Sequence, residues 1–261
     1  MMSALLLTSA GFALAQTYPA KPVRIIAPFP PGGSVDAVAR LIAADVTKPL
    51  GQQIVVDNRS GASGNIGMEI ARNAPADGYT LVLNTMPLVT NQFLYSKVPY
   101  DPITDFAPIS LISSSPNVMT VHPSLPVKSV RELLALAKAK PGALNYASAG
   151  PATNPHIAGE LFNYLGKVNL VVIHFKGGGP GLTATISGET QVTFSNISET
   201  TGLVRAKRLR ALGVTSLRRA AVMPEVPTIA ETLPGYEFTT WHALLAPRGT
   251  PPPIVSLLGE R

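Results

Sequence analysis

Three glycine-rich turns contain the residues best suited to bind a ligand, and each turn follows a predicted strand and begins a predicted helix. The turns comprise residues 29–34, 61–67 and 148–153. Free backbone N–H groups and the helix dipole at a helix start favour a bound anion. Ligands of open α/β sheets also lie beyond the carboxyl ends of strands, where these turns occur. One such turn is a weak indication, since glycine and serine form ordinary turns, but three of them predict an anion-binding cleft.

Motifs for nucleotide binding and for hydrolysis are incomplete. The chain has no G-x-x-x-x-G-K-[ST] sequence, and the glycines of residues 61–67 and 176–182 miss the G-x-G-x-x-G spacing. Residues 146–150 are similar to a nucleophile elbow, but Tyr146 stands where that motif requires glycine. His156 could approach the Ser148 hydroxyl, so a Ser148-dependent acyl hydrolase is the enzymatic alternative. No aspartate lies nearby in sequence, and a polar contact at a helix start is the simpler interpretation of His156.

The composition excludes further classes of protein. The chain of 261 residues contains no cysteine, which excludes disulfide scaffolds, thiolate catalysis and cysteine-based zinc sites. No metal-ligand spacing occurs among the histidines and carboxylates, so we predict no metal or other cofactor. The net charge is +6, and basic residues concentrate between Arg205 and Arg219. Aromatic residues do not alternate with them, so this segment predicts a solvated edge, with salt-sensitive nucleic-acid binding as the alternative.

The N-terminus predicts export. The first twenty residues have no charged side chain, and residues 4–15 are apolar or small. This run is too short for a membrane span, which takes about 20 residues, and Ala-Leu-Ala at residues 13–15 matches the A-x-A cleavage pattern. No Lys or Arg precedes the run, which departs from the usual signal sequence. We therefore predict a signal peptide over residues 1–15, cleaved between Ala15 and Gln16.

Short apolar strands alternate with helical patterns, which predicts two α/β units with parallel sheets covered by helices. The predicted strands are residues 23–27, 54–56, 81–83, 117–121, 144–148, 170–175, 191–194 and 210–215. The predicted helices are residues 35–48, 130–140, 155–165 and 181–187, with a short helix ending at residue 71. Asp36 and Arg40 have the spacing of a helical salt bridge. Thr250 and Pro251 predict an N-cap and first position of a last helix, and we expect the chain to be a fragment of a longer protein.

Several segments, in order, carry a resemblance to a known family. They are Tyr-Pro-Ala-Lys-Pro-Val-Arg-Ile-Ile (18–26), Pro-Phe-Pro-Pro-Gly-Gly (28–33), Asn-Arg (58–59), Gly-Ala-Ser-Gly-Asn-Ile-Gly (61–67), Pro-Ala-Asp-Gly-Tyr-Thr-Leu (75–81), Tyr-Ala-Ser-Ala-Gly (146–150), Phe-Lys-Gly (175–177), Leu-Arg-Ala-Leu-Gly-Val-Thr-Ser (209–216), Pro-Glu-Val-Pro-Thr (224–228) and Pro-Gly-Tyr-Glu (234–237). In these segments the chain resembles the Bug-type periplasmic solute receptors of tripartite tricarboxylate transporters.

The resemblance implies a two-domain periplasmic binding protein of α/β class, a Venus flytrap that closes on a small carboxylate. Each domain would be a mostly parallel sheet flanked by helices. It places domain 1 at residues 16–116 and 222–261, and domain 2 at residues 117–221. It also implies a periplasmic location, delivery of the ligand to integral-membrane permease subunits, and no catalytic residue or cofactor. A carboxylate sensor for a signalling partner is a further alternative.

The resemblance also assigns ligand-binding residues. They are Phe29, Gly32, Gly33, Ser34, Ala62, Ser63, Gly64, Asn65, Thr85, Ser148, Gly150, Thr153, His156, Ser195 and Asn196. Members of the family often have Phe-Asp-Asn where this chain has Phe194, Ser195 and Asn196, and an acid there can pair with a substrate ammonium group. Because Ser195 cannot do so, we expect a plain mono- or dicarboxylate rather than an amino acid.

Overall fold

A computed structural model describes residues 18–260. The predicted signal peptide, residues 1–15, lies outside the described residues. None of the helices within the described range has the length and apolar character needed to cross a membrane.

Strands and helices alternate along most of the described chain. The strands are β1 (Val23–Ala27), β2 (Ile54–Asn58), β3 (Thr80–Asn84), β4 (Phe106–Val121), β5 (Asn145–Ser148), β6 (Val171–His174), β7 (Val192–Asn196), β8 (Arg210–Val214) and β9 (Thr239–Pro247). The helices are α1 (Ser34–Leu50), α2 (Asn65–Arg72), α3 (Pro87–Leu94), α4 (Val130–Ala139), α5 (Asn154–Gly166), α6 (Gly178–Ile186), α7 (Ile197–Arg205) and α8 (Pro252–Gly259).

The predicted strands and helices are present, but five elements differ from expectation. Strand β4 begins at Phe106, well before the predicted residue 117, and α3, α7 and β9 have no predicted counterpart. The last helix begins at Pro252, with Pro251 rather than Thr250 at the N-cap. The Thr250 hydroxyl donates instead to the Pro247 carbonyl, 2.8 Å away, so it closes the turn before the helix.

The sheet consists of two parallel groups joined by two long antiparallel strands. The strand order is β2-β1-β3-β9-β4-β7-β5-β6, and β8 also pairs with β4. Strand β1 is parallel to β2 and β3, and β5 is parallel to β6 and β7. Residues 106–116 of β4 pair with β9, and residues 117–121 pair with β7 and β8. The two halves of β4 therefore belong to different lobes.

Each lobe has a hydrophobic core on both faces of its part of the sheet. In lobe 1, built around β1 and β3, Ile25 belongs to one core and its neighbour Ile26 to the other. Successive strand residues point to opposite faces, so helices cover this sheet on both sides. In lobe 2, built around β5 and β7, the main core contains Phe162 and Phe194.

The segment before β9 packs with lobe 2. Ile229, Tyr236 and Phe238 are members of its main core, and Phe238 N–H donates to the Thr215 carbonyl over 2.9 Å. The division at residues 117 and 222 stays a prediction, and these contacts favour a return to lobe 1 at β9 over a return at residue 222.

Candidate ligand-binding site

The first turn ends in a helix start whose N-cap residue, Gly33, provides no side-chain hydrogen bond. Helix α1 begins at Ser34 after the N-cap Gly33, which has extended backbone. The Asp36 carboxylate holds the turn from within the helix, since it accepts from Gly32 N–H and from Asn58 Nδ2, each at 3.0 Å. Arg40 Nε also donates to it over 3.0 Å, which confirms the predicted salt bridge.

The charge of Asp36 is therefore stabilised in place. Burial acts to raise the pKa of the Asp36 carboxyl, but the hydrogen bonds from Arg40, Gly32 and Asn58 outweigh it and hold the pKa below its usual value. Asp36 thus acts on the backbone of the turn, and it does not line the cavities described below.

The second turn is held in a left-handed conformation by helix α3. Ala62 and Ser63 have φ values of 47° and 50°, a region that costs about 1–3 kcal/mol for a residue other than glycine. Asn91 Nδ2 donates to the Ser63 carbonyl over 3.1 Å and to Asn65 Oδ1 over 2.6 Å, and the Tyr95 hydroxyl donates to Ser63 Oγ over 2.9 Å. Asn65, a predicted ligand-binding residue, thus faces α3.

The third turn is built on the Ser148 hydroxyl. Ser148 Oγ donates to the Gly150 carbonyl over 2.9 Å and accepts from Gly150 N–H over 3.1 Å. His174 Nδ1 lies 3.2 Å from it, whereas His156 Nδ1 accepts from Ala152 N–H over 3.2 Å. The prediction that His156 approaches Ser148 is corrected accordingly. Ser148 is 1% exposed, so its hydroxyl closes the turn and is not presented as a nucleophile.

Two histidines, His156 and His174, lie beside the third turn, and the pKa of each is lowered. Burial lowers the pKa of His156, and the neighbouring His174 lowers it further. Burial also lowers the pKa of His174. The two rings pack edge to face with centroids 4.9 Å apart, and their lowered pKa values disfavour positive charge at this place.

Two adjoining cavities lie between the lobes, and both have Phe29, Pro30 and Ala149 in their walls. The first cavity has a volume of about 480 Å³, including space open to solvent, and is lined by Phe29, Pro30, Gly33, Ser34, Val35, Thr85, Pro87, Asn117, Ala149, Thr153, Asn154, Pro155, Gly178, Asn196, Glu199 and Thr240. The second, of about 850 Å³ on the same measure, is lined by Phe29, Pro30, Ser60, Gly61, Ala62, Ser63, Gly64, Tyr95, Ala149, Gly150, Pro151, Phe175, Lys176 and Gly177.

The predicted ligand-binding residues divide into three groups. Those in the wall of the first cavity are Phe29, Gly33, Ser34, Thr85, Thr153 and Asn196. Those in the wall of the second are Phe29, Ala62, Ser63, Gly64 and Gly150. Gly32, Asn65, Ser148, His156 and Ser195 lie outside both walls. Ser195 is buried in β7, and its hydroxyl is hydrogen-bonded to Thr193 Oγ1 at 3.0 Å.

Helix starts from both lobes face the first cavity. Ser34 begins α1 in lobe 1, Asn154 begins α5 in lobe 2, and Gly178 begins α6 in lobe 2. The N-caps of all three helices provide no side-chain hydrogen bond. Their first N–H groups and their dipoles therefore favour negative charge in this cavity.

Sequence reasoning missed four polar residues in the first cavity, namely Asn117, Asn154, Glu199 and Thr240, and two of them bear on its chemistry. Asn154 Nδ2 donates to Thr85 Oγ1 over 3.1 Å, and the Thr85 hydroxyl donates in turn to the Trp241 carbonyl. This leaves Asn154 Oδ1 as a buried acceptor without a partner. The second residue is Glu199, whose pKa is raised by burial to about 7 although Asn196 and Ser34 N–H groups stabilise its charged form.

A histidine lies directly behind the first cavity. His242 Nε2 is 3.3 Å from Ser34 Oγ, and its Nδ1 is 2.9 Å from Ser113 Oγ. Burial lowers the pKa of His242 to about 4, so the ring is neutral at pH 7. Within residues 18–260, no group of three or more His, Asp or Glu side chains is placed to hold a metal ion.

The basic segment is partly engaged within the protein. Arg210 Nη1 donates to the carbonyls of Leu125 and Val127 over 3.0 and 2.9 Å. Arg219 forms an exposed ion pair with Glu231 at 3.0 Å. These contacts fit the predicted solvated edge better than a surface free to track nucleic acid.

Comparison with known proteins identifies the family. A family model described as tripartite tricarboxylate transporter family receptor matches residues 38–260. The chain belongs to this family. Among its relatives, protein BugT of Bordetella pertussis is 37% identical to the receptor, over 94% of this chain and 76% of BugT. The Bug-type resemblance is thereby confirmed.

Solved structures confirm the fold class of the receptor. Rpa4515 of R. palustris, solved with adipate, is 39% identical with a TM-score of 0.90, over 92% of this chain and 81% of that one. MatC (Rpa3494) from Rhodopseudomonas palustris, with bound malate, is 33% identical with a TM-score of 0.87, over 92% and 83% of the two chains. The receptor therefore has the α/β fold of the periplasmic binding proteins of this family.

Proposed function

We propose that the receptor binds a small organic carboxylate in the first cavity and delivers it to the membrane permease of a tripartite transporter. The observation that carries this proposal is the set of helix starts without side-chain caps, from α1 in one lobe and from α5 and α6 in the other, around one cavity. Donors from both lobes reach one anion, so its binding favours closure of the cleft.

A dicarboxylate suits the two adjoining cavities. One carboxylate would accept from the backbone N–H groups at the start of α1 in the first cavity. The second would reach the second cavity, where Lys176 is part of the wall. Two of the similar structures contain adipate and malate, each of which has two carboxylates, and this supports the same ligand class.

Ser195 does not decide between an amino acid and a plain carboxylate, because it lies outside both cavity walls. Glu199 instead brings a carboxyl group into the first cavity. Measuring aspartate beside its deaminated analogue succinate tests whether this carboxyl group pairs with an ammonium group.

Family membership supports the remaining parts of the proposal. A receptor of a tripartite transporter acts outside the cytoplasm and meets the integral-membrane subunits after it has closed on its ligand. The predicted signal peptide agrees with this location. We therefore place the receptor in the periplasm as a binding protein without catalytic activity.

A thermal-shift screen tests the proposal. The protein is first unfolded to release any bound ligand and is then refolded for the screen. The panel contains adipate, malate, succinate, citrate and aspartate. A ligand at about 100 times its Kd adds about 2.7 kcal/mol to the free energy of unfolding, or roughly 5–10 °C for a chain of this size. A shift of this kind with a carboxylate supports the proposal, and a flat panel on well-folded protein contradicts it.

A further inference from the structure

The carboxyl group of Glu199 occupies the place where the helix starts favour an anion. Glu199 is the third residue of α7, and its Oε2 accepts from Asn196 N–H over 3.2 Å. The N–H group of Ser34, at the start of α1 in the opposite lobe, also stabilises its charge. A β-carbon at Gly178, the first residue of α6, would lie only 3.4 Å from Glu199 Oε1. Helix starts from both lobes therefore surround this one carboxyl group.

A ligand carboxylate and an ionised Glu199 compete for the same donors. Two carboxylates that share a site cannot both remain charged at low cost, and one of them takes up a proton. Among the residues that line the first cavity, all of which belong to the described part of the chain, Glu199 is the one with a titratable side chain. The proton therefore goes to Glu199 when the ligand remains a full anion.

We propose that carboxylate binding by this receptor is coupled to protonation of Glu199. This inference depends on the proposed function, because it needs a carboxylate ligand in the first cavity. The protonated side chain no longer competes for the Ser34 N–H group with a negative charge, and its O–H becomes a hydrogen-bond donor. Glu199 is thus a residue that sets the pH range in which the receptor captures its ligand.

The neighbouring ionisable groups do not provide this coupling. On α1, Asp36 is held in its charged form by Arg40, which keeps its pKa below the usual value against the effect of burial. On β9, burial lowers the pKa of His242 to about 4, and on α5 burial lowers the pKa of His156. Before α6, Lys176 lies in the wall of the second cavity. Glu199 has a pKa of about 7 in the free receptor, so it changes its charge near neutral pH.

The direction of the pH effect follows from the linkage between protons and ligand. The bound anion raises the pKa of Glu199 above its value in the free receptor, so the complex holds more protons than the free protein. Affinity therefore falls as pH rises through the free-receptor pKa toward the pKa of the complex. Free carboxylic acids are fully ionised at about pH 6.5 and above, so the ligand itself adds no pH dependence there.

Isothermal titration with adipate and with malate tests the inference. For the native receptor we expect affinity to fall about tenfold between about pH 6.5 and about pH 8.5. At intermediate pH, titrations in buffers with different ionisation enthalpies should show proton uptake on binding. Glu199→Gln should bind as tightly at high pH as at low pH, without proton uptake. Glutamine at this position preserves the capping interaction of α7, and the thermal midpoint checks that the variant folds.

Glu189→Gln is the matched control, since Glu189 is an exposed residue of the same lobe and its replacement should leave the pH profile unchanged. A native receptor with constant affinity and no proton uptake overturns the inference. So does a Glu199→Gln profile that follows the native one. Weaker binding of adipate and malate by Glu199→Gln than by the native receptor overturns it too. If neither protein binds any carboxylate at any pH, the proposed function itself fails.

Discussion

Replacing Asp36 with alanine should destabilise the receptor markedly and weaken its binding site. The carboxylate accepts from three donors at 3.0 Å, namely Gly32 N–H, Asn58 Nδ2 and Arg40 Nε. Hydrogen bonds to a charged group contribute about 1.5–3 kcal/mol each. Gly32 and Arg40 are exposed, so water replaces part of what they lose. We therefore expect a loss of about 2–3 kcal/mol, or roughly 4–12 °C in the thermal midpoint.

Arg40→Ala is the control for this substitution. It removes the exposed partner of the ion pair but leaves the Asp36 carboxylate with its bonds to Gly32 and Asn58. Thermal and urea unfolding should therefore show a clearly smaller loss for Arg40→Ala than for Asp36→Ala. Equal losses would refute the reasoning, because they would mean that the exposed ion pair, rather than the hold on the turn, stabilises the fold.

The pH dependence gives a second readout. Because the pKa of Asp36 is lowered in the folded protein, its contribution is present above the pKa of the unfolded chain and is lost as pH falls through the lower, folded value. The stability difference between the native receptor and Asp36→Ala should therefore be largest near neutral pH and should shrink below about pH 4. Adipate affinity should also fall in Asp36→Ala, since the Gly32 end of the turn loses its anchor.

Three further predictions concern other parts of the receptor. Burial lowers the pKa of His242 to about 4, so the free energy of unfolding should have its full value above about pH 6.5 and should fall by about 3 kcal/mol as the pH drops toward 4. Chemical unfolding of His242→Gln should show a flatter pH profile over this range, and a profile parallel to the native one would contradict the lowered pKa of His242. A β-carbon at Gly67 would lie 2.7 Å from Pro28 Cβ, so Gly67→Ala should cost about 1–3 kcal/mol by overpacking. A β-carbon at Gly202 would have no atom within 4 Å, so Gly202→Ala should instead stabilise α7 by up to about 1 kcal/mol through its higher helix propensity. Urea midpoints that move in the same direction for both variants would contradict this pair of predictions. Ser148→Ala should lower the thermal midpoint by removing a buried turn bond, while an activated ester should be hydrolysed by neither protein; turnover lost in the variant would instead support the hydrolase alternative.

Much of the fold was predictable because local patterns agreed with tertiary packing. The apolar runs of β1 and β3 are buried on both sides, so composition alone indicated internal strands. The three glycine-rich turns also lie where the sequence placed them, between strand ends and helix starts. Their positions depend on short-range chemistry, namely the conformational freedom of glycine and the exposed N–H groups of a helix start.

The elements that the sequence did not indicate are those that depend on distant partners. The first part of β4, residues 106–116, contains prolines and serines and is a strand because β9 pairs with it across more than a hundred residues. Helix α3 is only eight residues long, so its apolar pattern is too brief to identify. Asn91 of α3 and Tyr95, the residue after the helix, nevertheless hold the second turn.

The sequence by itself determined the family, the alternation of strands and helices, and the three turns that face the cleft. Only the tertiary structure decided which side chains share a cavity. Ser195 is buried in β7 beside Thr193, and His174 rather than His156 lies next to Ser148. Glu199 of one lobe lies at the helix start of Ser34 in the other lobe. The physical reason is that helix and turn signals are local, whereas contacts across a cleft depend on how two separately packed lobes are oriented.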